Sequence, residues 1–239
     1  MRVLKNDVIS NQREYEGERN NSHPLKIEVL SSQPSMTSFI LDLPNICTLF
    51  GLLSAFLGIY FAIQGSIYFA VIGGLWAVLF DWLDGLVASK MKNRTDDHRA
   101  FGGQLDSLID IVSFGVLPAI ILLSYTNYSI WSIIVGFSII AACAIRLSYF
   151  NIFGLKDGKT YTGLAVDYNG LIVSFAFLFE SFIAQAYFSI GLSILLITIV
   201  VLNLSSFQIP KLSKKWLVGL AAYAIALTLY LGRMQVFSH

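Results

Sequence analysis

Four aspartates, Asp81, Asp84, Asp106 and Asp110, lie within an otherwise apolar part of the chain, in the string DWLDGLVASKMKNRTDDHRAFGGQLDSLID. The first two are three residues apart and the last two four apart, so on two helices each pair projects from one face. If the helices pack so that the carboxylates come within ~5 Å, each pair repels by roughly 3 kcal/mol at an effective dielectric near 20. Such a cluster is stable around cations or when partly protonated. Carboxylate oxygens suit Mg²⁺ or Mn²⁺, which typically clamp phosphates while keeping some ligand positions open. The pattern therefore predicts a site for two divalent cations that acts on a phosphate-bearing ligand.

The elements that must position these side chains are membrane helices. Of the 239 residues, 56% are hydrophobic and only 13% charged, with a mean hydropathy of +0.68, far from an average soluble domain. Residues 1–38 differ. They carry Arg2, Lys5, Arg13, Arg19 and Lys26 and no long apolar run, so they read as a polar, mobile cytoplasmic tail and not a signal peptide. Residues 39–239 read as the transmembrane domain. A net charge of +1 implies no nucleic-acid partner. Cys47 and Cys143 both fall in apolar segments and read as small hydrophobes, not a disulfide.

Seven apolar segments, each near the ~20 residues that span hydrocarbon, run at 43–63, 66–91, 102–125, 129–153, 165–187, 189–206 and 215–233. The links after the first, third and fifth lack Lys and Arg. Those after the second, fourth and sixth hold Lys90, Lys92, Arg94 and Arg99, then Lys156 and Lys159, then Lys211, Lys214 and Lys215. By the positive-inside rule these links and the amino terminus are cytoplasmic and the carboxyl terminus is outside. All four aspartates then lie in the inner leaflet on consecutive antiparallel helices, flanked by Gly85, Ala88 and Gly102, which allow close approach of a backbone or a polar ligand. The expected fold is an all-α polytopic bundle of about seven transmembrane helices. No internal repeat of the kind that marks transporters is evident.

Asp81, Asp84, Gly85, Ala88, Gly102, Asp106 and Asp110 reproduce the DxxDGxxA…GxxxDxxxD signature of the CDP-alcohol phosphotransferases, which the chain resembles. The stretches LPNICTLFGLLSA, KNRT, FGGQLDSLIDIVSFGVLPAI, RLSYFNIFG, KTYTGLAV and SSFQIPKL are similar to the integral-membrane phosphatidylserine synthases. The similarity covers about residues 43–215 and leaves out the tail and the final helix. The resemblance implies a six-helix core plus an extra C-terminal helix, a homodimer in the lipid bilayer, and transfer of the phosphatidyl group of CDP-diacylglycerol to serine with release of CMP. It further implies Asp81, Asp84 and Asp106 as metal ligands. Asp110 joins the same metal site and is placed to accept the proton of the incoming hydroxyl. Choline, ethanolamine, inositol phosphate or glycerol phosphate are alternative acceptors, and an intramembrane cation transporter or an inactive lipid-binding member are remoter readings.

On the donor side, the candidates for contact with CDP are Asn45, Thr48, Gly85, Ala88, Ser89 and Gly102. Asn45 and Thr48 equally suit capping of the first helix. Ser89 stands where the superfamily often has Arg, leaving Lys90 or Lys92 to replace that cation at a different reach. Arg146, costly in hydrocarbon, is a candidate for a lipid phosphate or the acceptor carboxylate. Where serine synthases tend to read GLPVT, this chain reads GLAVDYNG. That places Asp167 and Tyr168 at the acceptor side, with a carboxylate suited to an ammonium group. Glu180, toward the outer side, is expected to be protonated or to face a partner helix, and His98 to be solvated.

Overall fold

The computed structural model describes residues 35–158, 160–210 and 216–237. Residues 1–34 of the expected tail, Lys159, and the cationic run with Lys211, Lys214 and Lys215 lie outside the described residues. The helices are α1 (Met36–Ile40), α2 (Leu43–Ile63), α3 (Ile67–Lys90), α4 (Asp96–Asp110), a π-helical turn (Ile111–Val116), α5 (Leu117–Tyr125), α6 (Ile130–Phe153), α7 (Asp167–Ala176), a 3₁₀ turn (Glu180–Phe182), α8 (Gln185–Leu204) and α9 (Trp216–Phe237). Six of these continuous helical stretches are long and apolar enough to cross a membrane: α2, α3, Asp96–Tyr125, α6, α8 and α9. An all-α polytopic bundle is the result.

The third stretch begins at Asp96 rather than near 102 because Thr95 caps it, its Oγ1 accepting the His98 N–H at 3.2 Å. His98 is correspondingly not a solvated loop residue. Its Nδ1 lies 2.7 Å from Thr95 Oγ1 and its ring 4.8 Å from that of Phe39.

The fifth expected segment, 165–187, is not one long helix: α7 ends at Ala176 and is followed by the 3₁₀ turn. It nevertheless runs alongside α3 from one end to the other. At its start Trp82 Nε1 donates to Asp167 Oδ2 at 2.8 Å. At its end Glu180 accepts from the hydroxyls of Tyr68 and, at 2.8 Å, Tyr125. Residues 68 and 82 are about 21 Å apart along a helix, so this short piece covers most of the hydrocarbon depth. Glu180 thus faces partner helices, as its sequence position suggests.

The core is packed between these helices around Leu75, Phe114, Leu117, Leu122 and Phe177, all fully buried. The final helix α9 lies on α3, with Trp76 Nε1 donating to Thr228 Oγ1 at 3.0 Å and the Tyr68 N–H to Gln235 Oε1 at 3.2 Å. One small sheet departs from the helical pattern. In it β1 (Thr160–Thr162) pairs antiparallel with β2 (Gln208–Pro210), Tyr161 opposite Ile209. The two connecting stretches that resemble the serine synthases, KTYTGLAV and SSFQIPKL, thereby satisfy each other's backbone polar groups at one end of the bundle.

Candidate active site

The carboxylates converge as the helical spacing predicts. Asp81, Asp84 and Asp106 each offer an oxygen, and these oxygens lie within 4.8 Å of one another. At that separation each ionised pair repels by roughly 3 kcal/mol at an effective dielectric near 20, and neither α3 nor α4 places a cation among them. Oδ1 of Asp106 is buried and without a hydrogen-bond partner among the described residues. An all-oxygen set with an orphaned carboxylate oxygen fits a hard divalent cation. Asp110 is buried and lines the same cavity, yet stands outside the three-residue ligand set.

That cavity, of about 270 Å³, is lined by Asp81, Asp84, Asp106 and Asp110 on one side and by Arg146, Tyr161, Asp167 and Tyr168 on the other. Five carboxylates therefore share the space with one guanidinium. Arg146 is buried, with Nε donating to Leu164 O at 3.2 Å and the guanidinium over the rings of Phe150, at 5.5 Å, and Tyr161, at 5.9 Å. Arg146 lines the cavity, and its two Nη groups have no hydrogen-bond acceptor among the described residues. Asp167 is held by Trp82, a residue set between two of the clustered aspartates, and Tyr168 packs edge-on against the same indole. Tyr161 was not visible as a site residue in the sequence. Only its place on β1, beside Arg146 and over Asp167, brings it in. Burial, followed by the nearby Asp167 and Asp81 carboxylates, pushes its phenol well above the usual range, so it is a neutral hydrogen-bond donor.

The expected donor-side residues divide. Gly85 lines the cavity, and a Cβ there would meet nothing, so the space over it is open to a ligand. Gly102 is the opposite case: a Cβ would come within 2.7 Å of Arg94 Nη2 and 2.9 Å of Asn45 Oδ1. Asn45 is buried and donates to Phe39 O at 2.7 Å. Thr48 Oγ1 lies 2.5 Å from Asp84 Oδ2 and 3.0 Å from Pro44 O, its single proton shared between them. Ala88 is half-buried and Ser89 exposed, its hydroxyl donating to Leu86 O at 2.6 Å. Neither lines the cavity, and Lys90 and Lys92 are exposed outside it as well.

A buried ion pair braces this edge of the site. Arg94 of the KNRT stretch reaches Asp42 at 2.6 Å, both side chains more than nine-tenths buried, and donates also to His98 O at 3.0 Å. The link between α3 and α4 is thereby drawn onto the start of α2. The sequence shows Arg94 only as one more cation on a loop, because its partner lies 52 residues away.

The whole bundle, and not the signature alone, answers to one family: the sequence model described as CDP-alcohol phosphatidyltransferase matches residues 41–233. The chain belongs to this family. The match runs through most of α9, which the sequence resemblance had left out. The chain is 38% identical over 172 residues to a protein named archaetidylserine synthase from Methanothermobacter thermautotrophicus, covering 71% of this chain and 72% of that one. It is 34% identical over 155 residues to a CDP-diacylglycerol–serine O-phosphatidyltransferase from Methanocaldococcus jannaschii, 64% of this chain and 69% of the other. A protein of the same name from Bacillus subtilis is 28% identical over 140 residues, 56% of this chain and 76% of that one. The CDP-alcohol phosphotransferase described here is therefore an integral membrane transferase of phospholipid biosynthesis.

Proposed function

We propose that this enzyme transfers the phosphatidyl group of a CDP-linked lipid to the hydroxyl of serine, releasing CMP. The observation that carries the serine reading is the presence of Arg146 and Asp167 on one wall of the cavity, beside the aspartates. A guanidinium with uncommitted Nη groups and a carboxylate match the carboxylate and ammonium of an amino acid. Choline and ethanolamine leave the guanidinium without a partner. Inositol phosphate or glycerol phosphate would bring a dianion into a space that holds five carboxylates and one cation. The names of the relatives point the same way.

Asp81, Asp84 and Asp106 would hold the divalent cations, two Mg²⁺ or Mn²⁺, with Asp110 at the edge of that site. When bound, the cations neutralise charge on the donor's diphosphate and on the departing CMP. The protein's own groups do the rest. Gly85 leaves room for the nucleotide-bearing diphosphate. Thr48 orients Asp84 by its hydrogen bond, and Asn45, Gly102 and Arg94 hold the α2–α4 contact that backs the cluster. Asp110 accepts the proton of the serine hydroxyl as its oxygen forms a bond to the lipid-bearing phosphorus. The bond from that phosphorus to the CMP oxygen breaks, and its electron pair leaves with CMP. Tyr161 and Tyr168 close the acceptor side against water.

The positive-inside rule, applied to the cation-bearing links, supports a reaction at the cytoplasmic face with the amino terminus inside and the carboxyl terminus outside, and family analogy supports a pair of copies in the bilayer. The lipid tails are those of diacylglycerol or the archaetidyl group that one relative's name carries; both present the same diphosphate to the site. The test supplies CDP-diacylglycerol or its archaetidyl counterpart and Mn²⁺ to the purified protein. Serine, choline, ethanolamine, inositol phosphate and glycerol phosphate are offered in turn while CMP release is measured. No stimulation by serine rejects the acceptor while leaving the family chemistry intact.

A further inference from the structure

The helix that carries Asp106 and Asp110 changes character immediately after Asp110, where Ile111–Val116 forms a π-helical turn. Its cause is local. Pro118 has no N–H to give to the carbonyl four residues earlier, that of Phe114. That buried carbonyl takes two side-chain donors instead: Asn169 Nδ2 at 3.2 Å and Cys143 Sγ at 3.4 Å. Asn169 is fully buried and sits two residues after Asp167 on α7. Gly170 beside it lets α7 approach this closely, since a Cβ there would lie 2.7 Å from Val78 Cγ2 and 3.4 Å from Phe114 Cδ1.

The chain of bonds continues to the other side of the cavity. Asn203, on α8, donates to Asn169 Oδ1 at 3.2 Å and to Leu164 O at 3.1 Å. Leu164 O is also the acceptor of Arg146 Nε at 3.2 Å. Gly163, at φ +74°, seats this loop directly on the end of α8, where a Cβ would strike Asn203 O at 2.7 Å. Asn203 is buried, and its Oδ1 has no hydrogen-bond partner among the described residues. An apolar residue here would take the donor away from Asn169 Oδ1 and from the Leu164 carbonyl, so the asparagine is accounted for by the bonds it makes and not by packing alone.

We propose that Asn169 and Asn203 are positioning residues that tie the acceptor wall, Arg146 and Asp167, to the π-turn behind Asp110, so that the proton-accepting carboxylate and the acceptor-binding groups keep one fixed spacing. The proposal rests on the reading of Asp110 as the proton acceptor and of Arg146 with Asp167 as acceptor contacts. Neither asparagine lines the cavity. Their effect is on the relative placement of groups whose displacement by about 1 Å costs on the order of 100-fold in rate. π-turns inserted in helices are frequent at functional sites for this reason: they re-aim one stretch of helix relative to the next.

The test uses the full chain in detergent or liposomes with CDP-lipid, Mn²⁺ and whichever acceptor the wild type turns over, so failure of the serine reading appears in the wild type and not in the variants. Asn169→Ala and Asn203→Ala are expected to lower kcat by about 10- to 100-fold and raise the acceptor KM, with the donor KM within about twofold of wild type. Adding Pro118→Ala to Asn169→Ala gives Phe114 O a backbone N–H. It is expected to recover thermal stability without recovering turnover, because an ordinary helical turn replaces the π-turn. If Asn169→Ala fails to accumulate, Asn203→Ala, which leaves both donors to Phe114 O and Cys143 in place, carries the same acceptor-KM readout. The proposal is overturned by folded variants with kcat and acceptor KM within about twofold of wild type. It is equally overturned if Pro118→Ala restores turnover together with stability, since the asparagines then serve only to satisfy a carbonyl.

Discussion

The indole of Trp82 donates to the carboxylate of Asp167 at 2.8 Å, joining the helix that carries Asp81 and Asp84 to the first residue of α7. One hydrogen bond thereby sets the distance between the clustered carboxylates and the wall proposed to take the alcohol. Trp82→Phe keeps the ring and removes the donor. The expected result is an acceptor KM raised about 10- to 100-fold, as loss of one hydrogen bond to a charged group predicts, with the donor KM little changed. Steady-state CMP release at varied acceptor and fixed CDP-lipid checks it, and an effect confined to the donor would count against the assignment of that wall.

Asp110 lines the cavity but stands apart from the three carboxylates that share a 4.8 Å cluster. Asp110→Asn retains size and polarity and cannot accept a proton. Turnover is expected to fall by about 100-fold or more, while binding of CDP-lipid, followed by thermal stabilisation of the purified protein, stays near wild type. Near-normal turnover in this variant would remove Asp110 from the role of base.

Thr48 supports a carboxylate of the cluster from a neighbouring helix. Replacing such a supporting hydrogen bond typically costs 10- to 100-fold in metal affinity. Thr48→Val is therefore expected to shift the Mn²⁺ or Mg²⁺ concentration for half-maximal activity upward by about tenfold, with recovery at saturating metal. Chelation of the wild type should abolish CMP release, and re-addition of either ion should restore it. Activity that survives exhaustive chelation would contradict the reading of the aspartates as a cation site.

The Arg94–Asp42 pair is buried on both sides. Removing one partner leaves the other charge buried and alone, a loss of about 3–5 kcal/mol. Arg94→Ala or Asp42→Ala alone is expected to lower Tm markedly in a detergent melt. The double variant Asp42→Asn/Arg94→Met should lie closer to wild type than either single change. Equal melting of all four proteins would show that the pair contributes nothing to the α2–α4 contact.

Much of the scaffold was legible locally. Four of the seven apolar segments correspond within a residue or two to α2, α3, α6 and the start of α9, because unbroken hydropathy over about 20 residues depends on no partner. The fifth segment was read as one span and is instead α7, a turn and a 3₁₀ turn. Its apolar content does not distinguish a long helix from a short one whose polar end, Glu180, is satisfied by Tyr68 and Tyr125 from elsewhere in the fold. Asp167 was legible as an extra carboxylate. Tyr161 was not, since a tyrosine in a polar link carries no signal until β1 pairs with β2.

The sequence by itself determined the class of molecule and singled out the aspartates of its candidate site. Hydropathy, cation-bearing links and acids spaced three and four apart are properties of neighbouring residues, and neighbouring residues suffice to read them. Only the tertiary structure shows that carboxylate oxygens of Asp81, Asp84 and Asp106 lie within 4.8 Å of one another. It also decided that Arg146, Tyr161 and Asp167 meet in the same cavity, and that Thr48, Arg94, Asn169 and Asn203 stand behind it. The hydrogen bonds that hold these supporting residues join positions 18 to 55 apart. They follow from the demand that every buried polar group find a partner on whichever helix packs beside it.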